Sequence, residues 1–331
     1  MRASLQSRGC RLSLVVARGA GQFRGSPAAP MRVEQVKPGL FVIRGPFDPC
    51  APGGCNGRNT DDGLLHEPGD VAVRVTSEGA IVVDDKFVQN VPDVHDAGEE
   101  RHDAADPATC STAITTPITS AATARVMDLG IEIIAHRNIR ENIIRNKQPG
   151  PPRLTFTDEE AIHLGGVEVR MLYFGRGHTN GDTVIFFPDL RTVHSGDLVI
   201  DGMPVIDYDN GGSALEFVTT LEKLMALDFD TVIPGHGRVL TKDDVRAYIP
   251  KLKTMNDRMR DLARRKVPDD QLAAQLKLDD IGWAHTVSTG TFMRSIVRYR
   301  DEVAAVPPES APPLLARSPA SAGRSCRRGR Q

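Results

Sequence analysis

The chain of 331 residues has no run of eighteen apolar residues, so it has no segment that reads as a transmembrane helix. It has no surplus of charge of one sign. Its 41 Lys and Arg against 43 Asp and Glu give a formal net charge of −2, which argues against nucleic-acid binding or a polybasic membrane contact. It also lacks a cysteine framework. Cys10, Cys50, Cys55, Cys110 and Cys326 are odd in number, scattered, and include no Cys-x-x-Cys zinc pair. Cys50 and Cys55 lie in a Pro/Gly-rich loop and would pair only in an oxidising compartment; otherwise they are two free loop thiols. Residues 1–30 contain no acid, and their apolar patch Leu12–Ala17 is a poor signal-peptide core with no Ala-x-Ala site behind it. The balance favours the cytoplasm over export. Oligomeric state is left open.

What is present suffices for a folded domain. An apolar fraction of 40% supplies a core. Met31 opens ordinary strand-like text, so residues 1–30 read as an extension, disordered or a weak leader. Residues 306–331, rich in Pro, Ser, Ala and Arg, read as a disordered tail. The domain is expected over 31–305. Strands are expected at Gly39–Arg44, Val71–Thr76, Ala80–Asp84, Ile131–Ala135, Val167–Tyr173, Thr183–Phe187, Thr192–His194 and Thr231–Ile233. Ser213 and Thr241 are placed to cap helices over 213–227 and 241–265, the second kinked or split by Pro250. Strands first, then strand–helix alternation, suit a layered α/β fold.

Three loops carry chemistry. Gly177-His178-Thr179-Asn180-Gly181-Asp182, His194-Ser195-Gly196-Asp197 and Pro234-Gly235-His236-Gly237 each follow a buried strand. Zinc accepts imidazole nitrogen and carboxylate oxygen, and glycines beside a ligand let it approach a metal closely. Singly, each is an ordinary loop histidine or strand-end acid. Together they would project from one edge of a sheet, the usual place for α/β sites.

The order and spelling of these loops resemble the metallo-β-lactamase superfamily. Asp84, after Ile81-Val82-Val83, resembles the family's first motif, a strand-end acid that orients the ligands rather than binding metal. The resemblance spans roughly 33–94 and 126–300. It implies a four-layer αβ/βα metallo-β-lactamase sandwich with one or two Zn2+ at one edge. His178 would complete the first site, Asp197 bridge the metals and His236 complete the second. It further implies a hydrolase in which a metal-bound hydroxide attacks a small-molecule ester, thioester or lactam. The alternative is a degenerate, non-catalytic member that binds or scaffolds. His136, at another family-like place, reads as structural.

The family's densest ligand cluster, His-x-His-x-Asp-His, is not spelled here; 113–118 reads Ala-Ile-Thr-Thr-Pro-Ile. Shifting the frame, by joining the last base of each codon to the first two of the next, permits His-His-His-Ala-Asp-His-x-Gly-Gly-Asn over 113–123. The hypothesis is that about residues 95–125 are translated out of frame, which would leave three ligands split across two sites and impair metal binding and local folding. Resequencing the gene beside close relatives is expected to reveal two compensating insertions or deletions flanking this stretch. Their absence would sink the idea.

Overall fold

A computed structural model describes residues 32–44, 69–84, 109–111, 123–124, 126–283 and 289–305. The loop holding Cys50 and Cys55, the segment 112–122 and both expected tails lie outside these residues.

Two sheets are stacked. The first has seven strands in sequential order: β1 (Arg32–Lys37), β2 (Leu40–Arg44), β3 (Val71–Val75), β4 (Ala80–Val83), β5 (Thr109–Ser111), β6 (Ile133–His136) and β7 (Leu154–Phe156). The β1–β4 segment is antiparallel, whereas β4 to β7 run parallel. The second sheet holds β8 (Glu159–Leu164), β9 (Val167–Leu172), β10 (Val184–Phe187), β11 (Thr192–His194), β12 (Thr231–Ile233) and β13 (Leu240–Thr241), in the order β13-β12-β11-β10-β9-β8. Here β11 and β12 pair in parallel and the other neighbours are antiparallel. The chain passes from one sheet to the other at Thr157-Asp158, a two-residue corner joining edge strand β7 to edge strand β8.

Side-chain alternation explains why the sheets stack. Successive strand residues point to opposite faces. Ile81 and Val83 of β4, Val169 and Met171 of β9, and Ile185 and Phe187 of β10 share one core cluster between the sheets. Their neighbours Val184 and Phe186 face away, into a second cluster with the helices α2 (Ala214–Leu224), α3 (Lys242–Arg264), α4 (Leu272–Leu276) and α5 (Thr289–Ala305). Ala80 and Val82 face outward on the other side, where they meet Val126 and Ile133. Helix α1 (Arg137–Arg145) packs Ile139 and Ile143 against Ala135 there. The layers are therefore helix, sheet, sheet, helix, as expected from sequence.

Both expected caps are present. Ser213 Oγ accepts the Glu216 amide at the start of α2. Thr241 and Asp244 form a reciprocal capping box at the start of α3. Of the kink or split expected at Pro250, the split does not occur, since α3 is one helix throughout. Pro250 is on the exposed side of α3, where solvent can satisfy the carbonyl left without its partner. Within the stretch expected to be aberrant, Thr109–Ser111 form β5 between β4 and β6.

Thr241→Ala removes the side chain that caps α3. It is expected to cost about 1 kcal/mol and to lower Tm by roughly 2–4 °C in scanning calorimetry. Asp244, hydrogen-bonded first by the Thr241 amide and then by Arg238, has its pKa lowered to about 2. A depressed carboxyl pKa stabilises fully above its unfolded value of about 3.9, and that contribution is lost as pH falls through about 2. Asp244→Asn should therefore flatten the acid limb of a stability–pH profile; an unchanged limb would refute the assignment.

Candidate metal centre

The parallel pair β11–β12 brings two of the three loops together. Ser195 N–H donates to Ile233 O at 3.0 Å, continuing the ladder past the strand ends. Gly235 N–H then donates to Gly196 O at 2.8 Å and Val199 O at 3.0 Å, and Gly235 O accepts the Asp70 N–H at 2.8 Å. A Cβ on Gly235 would lie 2.0 Å from Asp197 Oδ1 and 2.7 Å from the Gly196 carbonyl carbon. This position therefore requires glycine, because the two chains touch at backbone distance. Beyond the crossing stand Asp197, in a 3-10 turn over Gly196–Leu198, and His236.

The third loop joins β9 to β10 and reaches the same edge because these strands run antiparallel to each other and β10 to β11. Within it, Asp182 Oδ1 accepts from Thr179 N–H at 2.9 Å and Thr179 Oγ1 at 2.6 Å, closing the turn after His178. His178 is buried, and its Nδ1 lies 2.9 Å from Val205 O. A carbonyl can only accept, so Nδ1 carries the proton and Nε2 is left bare in the neutral ring. Gly212 packs where a Cβ would lie 2.2 Å from His178 O, which lets the 205–213 segment close over the histidine loop.

The three side chains converge on the two oxygens of one carboxylate. His178 Nε2 is 3.6 Å from Asp197 Oδ2, and His236 Nε2 is 3.4 Å from Asp197 Oδ1. His178 Nε2 and Asp197 Oδ1 are buried and make no hydrogen bond. Two ligands of a tetrahedral zinc, each about 2.0–2.1 Å from it, lie about 3.3 Å apart. The separations are thus those of ligand pairs sharing an ion, with a different oxygen of Asp197 facing each imidazole. Among the described residues, no group of three or more His, Cys, Asp or Glu side chains forms a complete ion-holding cluster. The donor set fits two incomplete half-sites that share Asp197.

Charge reinforces the arrangement. Burial pushes the His178 pKa down, but the carboxylates of Asp197 and Asp182 and the Val205 carbonyl outweigh it, and the net shift is upward. Burial raises the Asp182 carboxyl to about 6, against the opposing pull of His178 and the Thr179 donors. Asp84 closes β4 in the opposite sheet, buried and with a left-handed φ of 71° that is uncommon outside glycine. Continued by one residue, the β3–β4 register sets it opposite Val71, the neighbour of Asp70, whose amide bonds Gly235 and whose carbonyl meets His194 Nε2 at 2.9 Å, so it lies at the same end of the sheet. His136 is structural. Its Nε2 meets Thr157 O at 2.8 Å, its Nδ1 accepts the Asn138 amide, and its ring stacks on Tyr173.

Three contributors are not legible as site residues in the sequence. Val205 acts through a backbone carbonyl, which has no side-chain signal. Asn142, fully buried on α1, donates to Asn180 Oδ1 at 2.8 Å; only its four-residue spacing from Asn138 and Asn146 marks it. Tyr248 of α3 reads as a core aromatic against Trp283. Its buried hydroxyl makes no hydrogen bond, and burial, then the Asp197 charge, raises its pKa well above the ordinary tyrosine value.

Comparison with known proteins agrees with this fold. The model of the metallo-β-lactamase superfamily matches residues 113–236. A metallo-β-lactamase from Pontibacter korlensis superposes with a TM-score of 0.56 at 14% identity, covering 68% of this chain and 99% of its own. The metallo-β-lactamase FIM-1 from Pseudomonas aeruginosa, in its mono-zinc form, gives 0.55 at 13% identity over 68% and 96%. The chain thus resembles the metallo-β-lactamase superfamily over residues 113–236 and shares the fold of these enzymes. A curated relative, the 2,4-dinitroanisole O-demethylase subunit alpha of Nocardioides sp. (strain JS1661), is 28% identical over 119 residues. That match spans 35% of this chain and only 36% of the relative. No helix among the described residues is long and apolar enough to cross a membrane.

Gly235→Ala forces a methyl group into the Asp197 carboxylate and the Gly196 backbone. Overpacking of this kind costs about 1–3 kcal/mol. Urea unfolding is expected to show the loss as a lower midpoint with an unchanged m-value, and a wild-type midpoint would contradict the close approach.

Proposed function

We propose that the chain is a zinc-dependent hydrolase of small molecules, built on a domain spanning 31–305, with His178, Asp197 and His236 holding metal and Asp84 supporting them. The observation that carries this reading is the buried, unbonded Nε2 of His178, held bare by the Val205 carbonyl and 3.6 Å from Asp197 Oδ2, while the other oxygen, the unbonded Oδ1, lies 3.4 Å from His236 Nε2. Leaving His178 Nε2 and Asp197 Oδ1 without partners is costly unless a cation meets each of them. Zinc, when bound, would lower the pKa of a water molecule and polarise a substrate carbonyl or ether oxygen. The protein's own part is to fix these donors. Val205 sets the His178 tautomer, Asp197 offers one oxygen to each imidazole, and Asp182 closes the loop that carries His178. His236 Nδ1 is buried and without a partner, so its ring is the less firmly oriented of the two.

A second reading is a metal-poor family member that binds without catalysis. The absence of His and Asp from 113–118 favours it, and so does the lack of a complete ion cluster among the described residues. If 95–125 are out of frame, the impairment belongs to this polypeptide and the in-frame version would be the active enzyme. The substrate class is open among lactams, thioesters and esters. The curated relative adds an aryl methyl ether as a class to test, by its name alone.

Metal analysis of the purified full chain separates the readings. Near two zinc ions per chain supports the hydrolase and rules out the degenerate form; none, after dialysis against zinc, supports the second reading. Hydrolysis of a chromogenic lactam, a thioester and 2,4-dinitroanisole, with and without chelator, then narrows the substrate. Activity that survives exhaustive chelation would contradict a zinc mechanism.

A further inference from the structure

We propose that Asn142, on helix α1, is a positioning residue that fixes the imidazole of His178 in its metal-facing tautomer by clamping the two loops around it. The proposal rests on the reading of His178 as metal-facing.

The clamp is continuous. Asn138, Asn142 and Asn146 recur every four residues and so share one face of α1. Asn138 Nδ2 donates to Asn180 O at 2.6 Å, and Asn146 Nδ2 donates to Asn210 Oδ1 at 2.8 Å. Asn142 lies between them and engages both loops, donating to Asn180 Oδ1 at 2.8 Å and to Asn210 O at 3.4 Å. Asn180 sits two residues after His178. The loops are themselves joined: Asn180 N–H donates to Asn210 O at 3.0 Å, and Asp207 N–H donates to His178 O at 2.8 Å. Asn210 Nδ2 in turn donates to Asp207 Oδ2 at 2.6 Å, while Asp207 Oδ1 accepts the amides of Asp209 and Asn210. That closed turn holds Val205, two residues earlier, with its carbonyl against His178 Nδ1.

Asn142 suits positioning better than stability. It is fully buried, and its amide nitrogen faces two acceptor oxygens, so only a donor fits that side. Its own Oδ1 is buried with no hydrogen-bond partner. An unpaired buried carbonyl is costly, so Asn142 is held for its donor, which joins the two loops. What asparagine supplies is a fixed distance between the Asn180 and Asn210 loops, and hence between Val205 O and the His178 ring. Supporting contacts of this kind orient ligand imidazoles.

The test uses the full chain with 15N-labelled histidine, first metal-free and at alkaline pH, where the imidazole is neutral. A two-bond 15N–1H correlation spectrum reports which ring nitrogen of His178 carries hydrogen, with the signal assigned by its loss in His178→Gln. Wild type is expected to be wholly the Nδ1–H form. Asn142→Leu, near in volume, and Asn142→Asp, which sets an acceptor against two acceptors, are each expected to give a mixture with the Nε2–H form. Competition for Zn2+ against a chelator is expected to show affinity reduced roughly 10–100-fold in both. The tautomer readout separates the roles: a merely structural role lowers the thermal midpoint and leaves the folded protein in the Nδ1–H form. Both variants keeping the Nδ1–H form would overturn the proposal. If Asn142→Asp does not fold, Asn180→Ala removes the same bond from the loop side and carries the same expectation. If wild type binds no Zn2+, the metal reading fails, while a tautomer shift in the variants still upholds the clamp.

Discussion

The site edge depends on a backbone crossing at Gly235. Its N–H closes the seam between β11 and β12, and its carbonyl takes the amide of Asp70 from the opposite sheet. One residue thereby ties both sheets at the edge where the functional loops emerge. The crossing works only because no side chain stands there, and the vacated space is filled by the Asp197 carboxylate. Sheet stacking, driven by Ile81, Val83, Ile185 and Phe187, gives the sandwich its bulk; the Gly235 contacts decide which loops meet. Packing is tolerant of exchange among similar apolar groups, whereas a crossing at van der Waals contact is not.

Around that crossing the protein concentrates groups that ordinary interiors avoid. His178, Asp182 and Tyr248 are buried, and each retains a polar atom without a partner. The imbalance is local. A few residues away, Asn256 is fully used, donating to Ala214 O and accepting from Tyr299. Likewise Glu302 accepts from Tyr208, Ser213 and the Ala214 amide where α5 meets α2. Buried polar atoms without partners also occur at Arg44, Arg74 and Arg260, but His178, Asp182, Asp197 and His236 bring four of them to one edge.

Much of this was legible in the sequence, and the reasons differ by residue. The three loops stood out together, by their order and strand-end placement, although each alone reads as an ordinary loop histidine or strand-end acid. Ser213 and Thr241 were legible because capping is local chemistry, and the buried strands because alternation is. Asn138, Asn142 and Asn146 were not, since an asparagine stripe on a helix reads as a wet surface until loops from another part of the chain cover it. Edge strands β7 and β8 were missed because Glu159 and Glu160 break the apolar pattern, as an edge facing water allows. Pro250 misled in the other direction: its exposure lets α3 run through a residue that would break a buried helix.

The two-residue corner at Thr157-Asp158 has a consequence for how this molecule behaves in a crowd. It makes consecutive strands the rims of two different sheets, so every rim must be guarded against pairing with a neighbouring copy. Pro151, Pro152 and Arg153 precede β7, and Glu159, Glu160 and His163 line β8 on its exposed side. On the far rims, β1 carries Arg32, Glu34 and Lys37, and β13 is only two residues long. Leu154 is the weak point, 48% exposed on the β7 rim. Charge, proline and brevity thus guard these rims against pairing with a neighbouring copy, and Leu154 is where that guard is thinnest.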